Sequence, residues 1–234
     1  MNNSLKNLKR FLTLLRIYHR YKVEGLDHFP DSGGVLLVTN HSLATYDGFL
    51  IGLEILNRKG RLCRGLGDDM LFKVPILQRW CFDIGLVPAS IGNAQKLLQD
   101  EEVLGVAPGG MREALRPSRE RYLLKWHKRK GFIKLAIAQQ VPIVLAACPN
   151  ADRIFKVYES LLTAIVYKKF KFPLPIFKGF GPSYLPRPVK LTHYLSKPIY
   201  PPKVEKSLIT NEIVDLFHSE VVSEMESLMS KVDY

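Results

Sequence analysis

The chain has 234 residues, of which 47% are hydrophobic and 24% charged, a composition typical of a folded protein and not of a disordered one. Its length fits one large domain with a substantial core better than two small domains. Lysine and arginine number 34 against 22 acidic residues, so the formal net charge of +12 favours a polyanionic partner, either nucleic acid or an anionic membrane surface.

Cysteine usage and hydropathy exclude two further classes. Cys63, Cys81 and Cys148 are odd in number and widely spaced, which predicts reduced core thiols instead of a disulfide framework or a zinc site. No run of 18 apolar residues exists, so no membrane-spanning helix is expected. Basic residues interrupt the first 20 positions, so a signal peptide is not expected there either.

The first predicted element is a basic amphipathic helix over residues 3–20, treated as a unit of residues 1–21 ahead of a domain over residues 22–234. Lysines and arginines fill much of the space between apolar residues at three- and four-residue spacing, which are Leu5, Leu8, Phe11, Leu12, Leu15 and Tyr18. The helix could lie in a membrane interface with its cations towards the head groups. It could equally dock on the protein's own core, and the two interpretations are compatible.

Strands and helices then alternate along the chain. The predicted strands are 35–39, 61–66, 85–89, 103–107, 142–147 and 189–195, and the predicted helices are 48–57, 72–82, 92–99, 127–140 and 211–231. Residues 165–190 are rich in proline, aromatic residues and lysine. This order predicts an α/β fold whose mostly parallel mixed sheet is flanked by helices, with the basic amphipathic helix at the N-terminus.

The loop after the first of these strands carries a possible catalytic pair. Four apolar residues lead into Asn40 and His41, and Asp47 follows at the start of the next predicted helix. A neutral imidazole can take a proton from an alcohol, and a carboxylate on its other nitrogen would fix the tautomer. Alternatively, Asp47 caps a helix beside a hydrogen-bonded loop histidine. Ser42 is not expected to be a nucleophile, because no Gly-x-Ser-x-Gly turn surrounds it.

A second candidate loop, Pro108-Gly-Gly-Met-Arg-Glu-Ala, follows the strand 103–107. Gly109 and Gly110 would let the backbone approach a ligand and expose N–H groups. Arg112 offers a planar fork of donors for a phosphate or an oxyanion. A tight turn with a surface arginine is the alternative. Both loops follow predicted parallel strands, so they should meet at one edge of the sheet, where α/β proteins bind ligands.

Together these motifs resemble the glycerophospholipid acyltransferase superfamily, which includes the 1-acylglycerol-3-phosphate acyltransferases. The segment 36–42 with Asp47 is similar to its His/Asp motif, the segment 107–114 stands in the place of its Phe-Pro-Glu-Gly-Thr-Arg motif, and Val141-Pro-Ile-Val is similar to its fourth motif. Within this superfamily, the sequence is more similar to a branch related to diacylglycerol acyltransferases. That branch includes transmembrane-protein-68-like proteins and phytyl ester synthases. Gly60-Arg-Leu-Cys-Arg, Phe72-Lys-Val-Pro and Arg129-Lys-Gly-Phe carry that likeness.

The resemblance implies a catalytic pair, His41 as base and Asp47 as its partner, and a set of substrate-binding residues comprising Asn40, Ser42, Gly109, Gly110, Arg112 and Glu113. It implies an acyl thioester donor, with acyl-CoA as co-substrate, a lipid alcohol acceptor, and neither a metal nor another cofactor. The expected location is peripheral, on the cytoplasmic face of a membrane with an anionic surface. Nucleic acid is not expected as a partner, because no recognition motif is present.

Three departures from the superfamily pattern refine the expected substrate. Five residues separate His41 from Asp47, as in the more similar branch, and Gly109 replaces the glutamate of the third motif. The segment 85–91 lacks the arginine that would meet an acceptor phosphate. A neutral acceptor such as mono- or diacylglycerol or a long-chain alcohol is therefore expected, although Arg112 or Arg116 could still serve a phosphate. A lysophosphatidate acyltransferase, an esterase and a non-catalytic lipid-binding module stay open as alternatives.

Overall fold

A computed structural model describes residues 3–67, 69–126, 128–160, 175–205 and 208–232. Its strands are β1 Lys22–Glu24, β2 Val35–Thr39, β3 Cys63–Gly67, β4 Leu86–Pro88, β5 Val103–Val106, β6 Ile143–Ala147, β7 Lys156–Tyr158, β8 Ile176–Lys178 and β9 Thr192–Leu195. Its helices are α1 Asn3–Tyr18, α2 Tyr46–Lys59, α3 Pro75–Asp83, α4 Ile91–Gln99, α5 Gly110–Ala114, α6 Gly131–Gln139 and α7 Asn211–Met229.

Seven of these strands form one mixed sheet in the order β1-β9-β6-β2-β5-β3-β4. The five strands from β6 to β4 are mutually parallel, while β9 runs antiparallel to β6 and parallel to β1. A separate antiparallel pair joins β7 to β8. The predicted α/β fold with a mostly parallel mixed sheet is therefore confirmed. The central position of β2, between β5 and β6, brings the ends of three parallel strands side by side.

Several element boundaries differ from the sequence prediction. The helix predicted over 72–82, with its entry expected near Pro75, does begin at Pro75, because the residue before a proline is pushed into extended backbone and Val74 has φ −100° and ψ 115°. The predicted helix 127–140 begins only at Gly131. Both β1 and the β7–β8 pair were missed, because a strand of three residues is too short to show an alternating pattern. Of the aromatic and lysine-rich segment, residues 165–174 lie outside the described residues.

Helices cover both faces of the sheet. On one face, here called the packed face, α4, α6 and α7 bury residues such as Leu36, Val38 and Leu104 in a large continuous core. On the other face, α2 covers Val35 and Leu37, which alternate with the residues of the packed face, and α1 packs against α2. We call this second face the cavity face, because a cavity lies between it and the helices.

The N-terminal helix is docked on the protein. Leu12 is buried against α2, and Arg16 forms a 2.9 Å ion pair with the nearly buried Glu54. At the end of α1, one ring nitrogen of His19 is 2.8 Å from the hydroxyl of Tyr46, at the start of α2. The docking interpretation of this helix is therefore confirmed for its inner side. Among the described residues, no helix combines the length and apolar composition needed to cross a membrane.

Candidate active site

Three loops meet at the carboxyl edge of the central strands, as predicted for two of them. The Asn40 amide, directly after β2, joins two loops: its oxygen accepts the Cys148 N–H at 2.8 Å and its nitrogen donates to the Cys148 carbonyl at 3.4 Å. Asn40 is only 2% exposed. Because both ends of the amide are engaged, Asn40 holds the loops after β2 and β6 together, a role that the substrate-binding assignment did not anticipate.

The next residue, His41, has a defined tautomer. Its Nδ1 lies 3.0 Å from the backbone carbonyl oxygen of Ser42. A carbonyl can only accept a hydrogen bond, so Nδ1 of the neutral ring carries the proton and Nε2 is left with its lone pair free. Burial lowers the pKa of His41 below its ordinary value, although the bond to Ser42 partly opposes this. The imidazole is therefore set up as a neutral base at neutral pH.

Asp47 contacts this histidine indirectly. Its carboxylate, buried in the first turn of α2, accepts a 2.9 Å hydrogen bond from the hydroxyl of Ser42. The expected direct bond between carboxylate and imidazole is not what the structure has, because the Ser42 carbonyl already occupies His41 Nδ1. Ser42 thus bridges the pair, with its carbonyl on the histidine and its hydroxyl on the aspartate. Burial raises the pKa of Asp47 to about 6, and the Ser42 bond opposes this rise.

The loop after β5 places a buried carboxylate against a glycine. A Cβ on Gly109 would lie 1.4 Å from Oε2 of Glu113, so a side chain at position 109 would collide with this carboxylate. Glu113 therefore fills the space into which the glutamate of the related motif would project. Burial raises the pKa of Glu113 to about 7, while the adjacent Arg116 guanidinium lowers it.

Arg116, which the sequence offered only as a possible partner of an acceptor phosphate, is a central residue of this edge. Only 4% exposed, it lies with Nη1 3.1 Å from Oε1 of Glu113, and its Nε and Nη2 donate to Oδ2 of Asp152. Asp152 also accepts the backbone N–H of Tyr122 at 2.8 Å. This buried cluster ties α5 to the loop after β6. The signal available in the sequence was an acidic residue following a third buried strand.

Two predicted binding groups in the glycine loop are engaged or turned away. The N–H of Gly110 donates to the Ala107 carbonyl at 3.0 Å, and a Cβ on this glycine would lie 2.7 Å from Nη1 of Arg129. Arg112 is exposed. Neither Gly110 nor Arg112 lines the cavity described below, and their part in substrate binding stays a prediction.

A cavity of about 550 Å³ runs from the carboxyl edge beneath α1 and α2, on the cavity face. This volume lies within the range of about 300–1,000 Å³ typical of small-molecule sites. His41, Asn40 and Asp47 line its polar end, whereas Ser42, Gly109, Gly110, Arg112 and Glu113 do not line it. Most of the remaining wall is apolar, and α1 and α2 contribute Leu5, Leu8, Leu12, Phe49, Leu53 and Leu56 to it.

Small residues on two neighbouring strands create the room. The floor of the cavity is formed by Cys63, Gly65 and Gly67 of β3 and by Gly105 of β5 with the following Ala107. With leucines at these positions, the side chains would fill the space under α2 as they do on the packed face. Burial raises the pKa of Cys63 to about 12, so its thiol stays protonated and acts as part of the wall.

No cluster of three or more metal-ligating side chains is found within the described residues. The cavity therefore combines one polar end, lined by His41, with an apolar interior. Such a shape suits a substrate whose reacting group is polar and whose remainder is a hydrocarbon chain.

Comparison with known proteins supports the resemblance to lipid acyltransferases. A 33% identical protein of Bos taurus, named "DGAT1/2-independent enzyme synthesizing storage lipids", aligns over 85% of this chain and 58% of its own length. The Homo sapiens protein of the same name is 33% identical over 80% of this chain and 56% of its own. An uncharacterized protein of Mycobacterium leprae is 29% identical over 85% of this chain and 56% of its own.

The chain spans little more than half the length of these curated relatives. Among solved structures, the 1-acyl-sn-glycerophosphate acyltransferase PlsC of Thermotoga maritima superimposes with a TM-score of 0.60 and 16% identity. That superposition covers 98% of this chain and 81% of the other, and it shows the shared fold. The profile of the diacylglycerol acyltransferase family matches residues 59–233. With three quarters of its length matched, the chain belongs to the diacylglycerol acyltransferase family.

Proposed function

We propose that this protein transfers a fatty acyl group from a thioester donor, acyl-CoA, to the hydroxyl of a neutral lipid. The observation that carries the proposal is the free Nε2 of His41 at the polar end of a long apolar cavity. Mammalian relatives named as enzymes synthesizing storage lipids support a lipid acceptor of this kind. No metal and no further cofactor are part of the proposal.

In the proposed reaction, Nε2 of His41 takes the proton of the acceptor hydroxyl while the hydroxyl oxygen attacks the thioester carbonyl. The tetrahedral intermediate then expels the thiolate, which recovers the proton from the imidazolium. Ser42 keeps the ring oriented through its carbonyl, and Asp47 fixes Ser42 through the hydroxyl. The carboxylate of Asp47 also favours the transient imidazolium electrostatically, across the serine.

A neutral acceptor fits the state of the nearby arginines. Arg116 is already paired with Glu113 and Asp152, and Arg112 is exposed outside the cavity wall. Arg64, which lines the cavity from β3, donates to the carbonyl of Gly85. A phosphate drawn into the cavity would therefore have to compete with existing partners of two of these cations.

We place the reaction at the cytoplasmic face of a membrane, with the protein bound peripherally to an anionic surface. The outer side of α1 supports this location, since Phe11, Leu14 and Ile17 are between 55% and 70% exposed and the helix carries no acidic residue. Interfacial helices bury such apolar faces at the level of the head groups and direct their cations to anionic lipids.

The direct test is incubation of the protein with labelled acyl-CoA and a panel of monoacylglycerol, diacylglycerol, a long-chain alcohol and lysophosphatidate. We expect ester formation with a neutral acceptor and a loss of about 10²–10⁴-fold in His41→Ala. His28→Ala is the matched control, since His28 is exposed and lies outside the cavity wall.

The other outcomes separate the alternatives. A folded His41→Ala variant with undiminished transfer contradicts the mechanism. Free fatty acid without ester product indicates an esterase, and lipid binding without turnover indicates a binding module. Preference for lysophosphatidate that Lys9→Met removes would assign the acceptor phosphate to Lys9, which lines the cavity from α1, and would overturn the neutral acceptor.

A further inference from the structure

A second exposed apolar surface lies between β3 and β4, outside the N-terminal helix. We call residues 70–82, a short 3₁₀ turn followed by most of α3, the apolar wedge. Ile76 is 82% exposed and Met70 59%, while Val74, Leu77, Trp80 and Phe82 are between 42% and 47% exposed. Monomeric proteins seldom expose so many large apolar side chains along one short segment, and such patches mark binding surfaces.

The apolar wedge borders the cavity. Leu71 within it and Ile84, two residues after it, line the cavity wall, together with Leu5 and Leu8 of α1. The two elements are joined directly, because the Ser4 hydroxyl donates to the Asp83 carboxylate at 2.7 Å. The wedge and the outer side of α1 are thus neighbouring rims of one cavity.

Charge selects the kind of partner. The wedge contributes Lys73 and Arg79 and α1 contributes four further cations, and these six cations outnumber the three aspartates that flank the wedge, Asp68, Asp69 and Asp83. Contact between two copies of this surface would bring like charges together. An anionic lipid surface suits both features, since it buries the apolar side chains and attracts the nearby cations.

We propose that the apolar wedge inserts into the interface of an anionic bilayer, beside α1, and thereby opens the cavity directly onto the membrane. Acyl chains then enter the cavity from the lipid phase without crossing water. This inference rests on the proposed function for its substrate, but lipid insertion of the wedge is measurable without any turnover.

The two tryptophans give a built-in measurement. Trp80 is in the wedge, whereas Trp126 is 1% exposed in the core of the packed face. With vesicles of phosphatidylcholine and phosphatidylserine carrying brominated acyl chains, we expect quenching and a blue shift of the Trp80 emission. In Trp80→Phe, which keeps only Trp126, the vesicle-dependent change should disappear. Unchanged emission of the wild-type protein while it cosediments with the vesicles would overturn the inference.

Ile76→Asp tests the contribution of the wedge, with Leu216→Asp as matched control, because Leu216 is 68% exposed on α7. We expect Ile76→Asp to weaken vesicle binding about tenfold or more, since it replaces a side chain that the lipid would bury with a charge. Leu216→Asp should bind as the wild type does. Equal binding by both variants would overturn the wedge, as would a wild-type dimer that Ile76→Asp dissociates.

Turnover separates this inference from the proposed function. With substrates presented in vesicles, acyl transfer by Ile76→Asp should fall in proportion to binding, and with short-chain substrates in detergent it should match the wild type. Quenching of Trp80 in a protein that transfers no acyl group would support insertion of the wedge and contradict the proposed function. Full acyl transfer from vesicles without quenching of Trp80 would support the proposed function and contradict insertion of the wedge.

Discussion

The two faces of the central sheet differ in what their side chains do with the same backbone. On the packed face, Leu104 of β5 is buried in a continuous core with α4, α6 and α7. On the cavity face, the next residue, Gly105, forms the floor of an open cavity. Because neighbouring strand residues point to opposite faces, one strand can supply stability on one side and empty space on the other. The fold therefore separates the residues that hold it together from those that admit a substrate.

The largest expected effect is on stability, and it is tested by truncating one buried helical leucine on each face of the sheet. Leu98 of α4 is 3% exposed on the packed face, and Leu53 of α2 is 5% exposed and lines the cavity. We expect Leu98→Ala to lower the free energy of unfolding by about 2–5 kcal/mol. The loss of free energy of unfolding in Leu53→Ala should lie near or below the low end of that range, because part of the Leu53 side chain already faces open space.

Chemical denaturation of both variants measures this difference. Acyl transfer per folded molecule should be unchanged in Leu98→Ala, which is remote from the cavity wall. Equal losses of stability at the two positions would show that the cavity is closed or filled in solution, and the distinction between the faces would fail.

Filling the cavity is the second prediction. A Cβ on Gly52 of α2 would contact only Cβ of Cys63, at 3.4 Å, so Gly52→Leu should extend into the cavity. Removing a glycine from a helix interior favours folding by up to about 1 kcal/mol, so we expect little change in stability. Activity with long acyl chains should fall, and the preference should shift towards shorter ones.

The matched change on the packed face is Ala136→Leu, at a fully buried position of α6. Overpacking there should lower the free energy of unfolding by about 1–3 kcal/mol without altering chain-length preference. Thermal unfolding and a series of acyl-CoA donors measure the two responses. An unchanged chain-length preference in a folded Gly52→Leu protein would count against acyl binding in this cavity.

The smallest expected effect concerns the charge buried at the polar end of the cavity. The folded pKa of Asp47, about 6, is above the model-peptide value, so its stabilising contribution is complete at low pH and is lost as the pH rises towards 6. Asp47→Asn keeps an acceptor for the Ser42 hydroxyl but cannot ionise. We expect it to gain stability relative to the wild type, on the order of 1 kcal/mol, between pH 4 and pH 8.

Acyl transfer by Asp47→Asn should nevertheless decline, by roughly tenfold, because the imidazolium of His41 loses a nearby negative charge. Unfolding curves at a series of pH values, paired with rates, test both effects. A wild-type protein that gains stability over Asp47→Asn as the pH rises would contradict the raised pKa. Undiminished transfer would remove Asp47 from the catalytic machinery.

Much of the fold could be predicted because the alternation of strands and helices is written in local patterns. The strand β2 coincides with the predicted 35–39, since five consecutive apolar or β-branched residues lie between polar turns. By contrast, β1 and α5 were missed, because segments of three and five residues are fixed by their neighbours and show no period of their own.

The site was predictable to the same local extent. His41 and Asp47 were selected as candidates because polar residues after a buried strand mark a ligand-binding edge, and both line the cavity. The bridging role of Ser42 could not be predicted. It depends on whether the imidazole faces the Ser42 carbonyl or the Asp47 carboxylate. The spacing in the sequence is equally compatible with a direct contact to Asp47.

By itself, the sequence determined the order of the elements, the basic amphipathic helix, and the residue types at the strand ends, because each depends on neighbours along the chain. Only the tertiary structure decided that the Glu113 carboxylate lies over Gly109 and that Arg116 pairs with Asp152, 36 positions away. It alone also decided that glycines of β3 and β5 share one cavity. Such contacts are made between surfaces brought together by packing, and no local pattern records them.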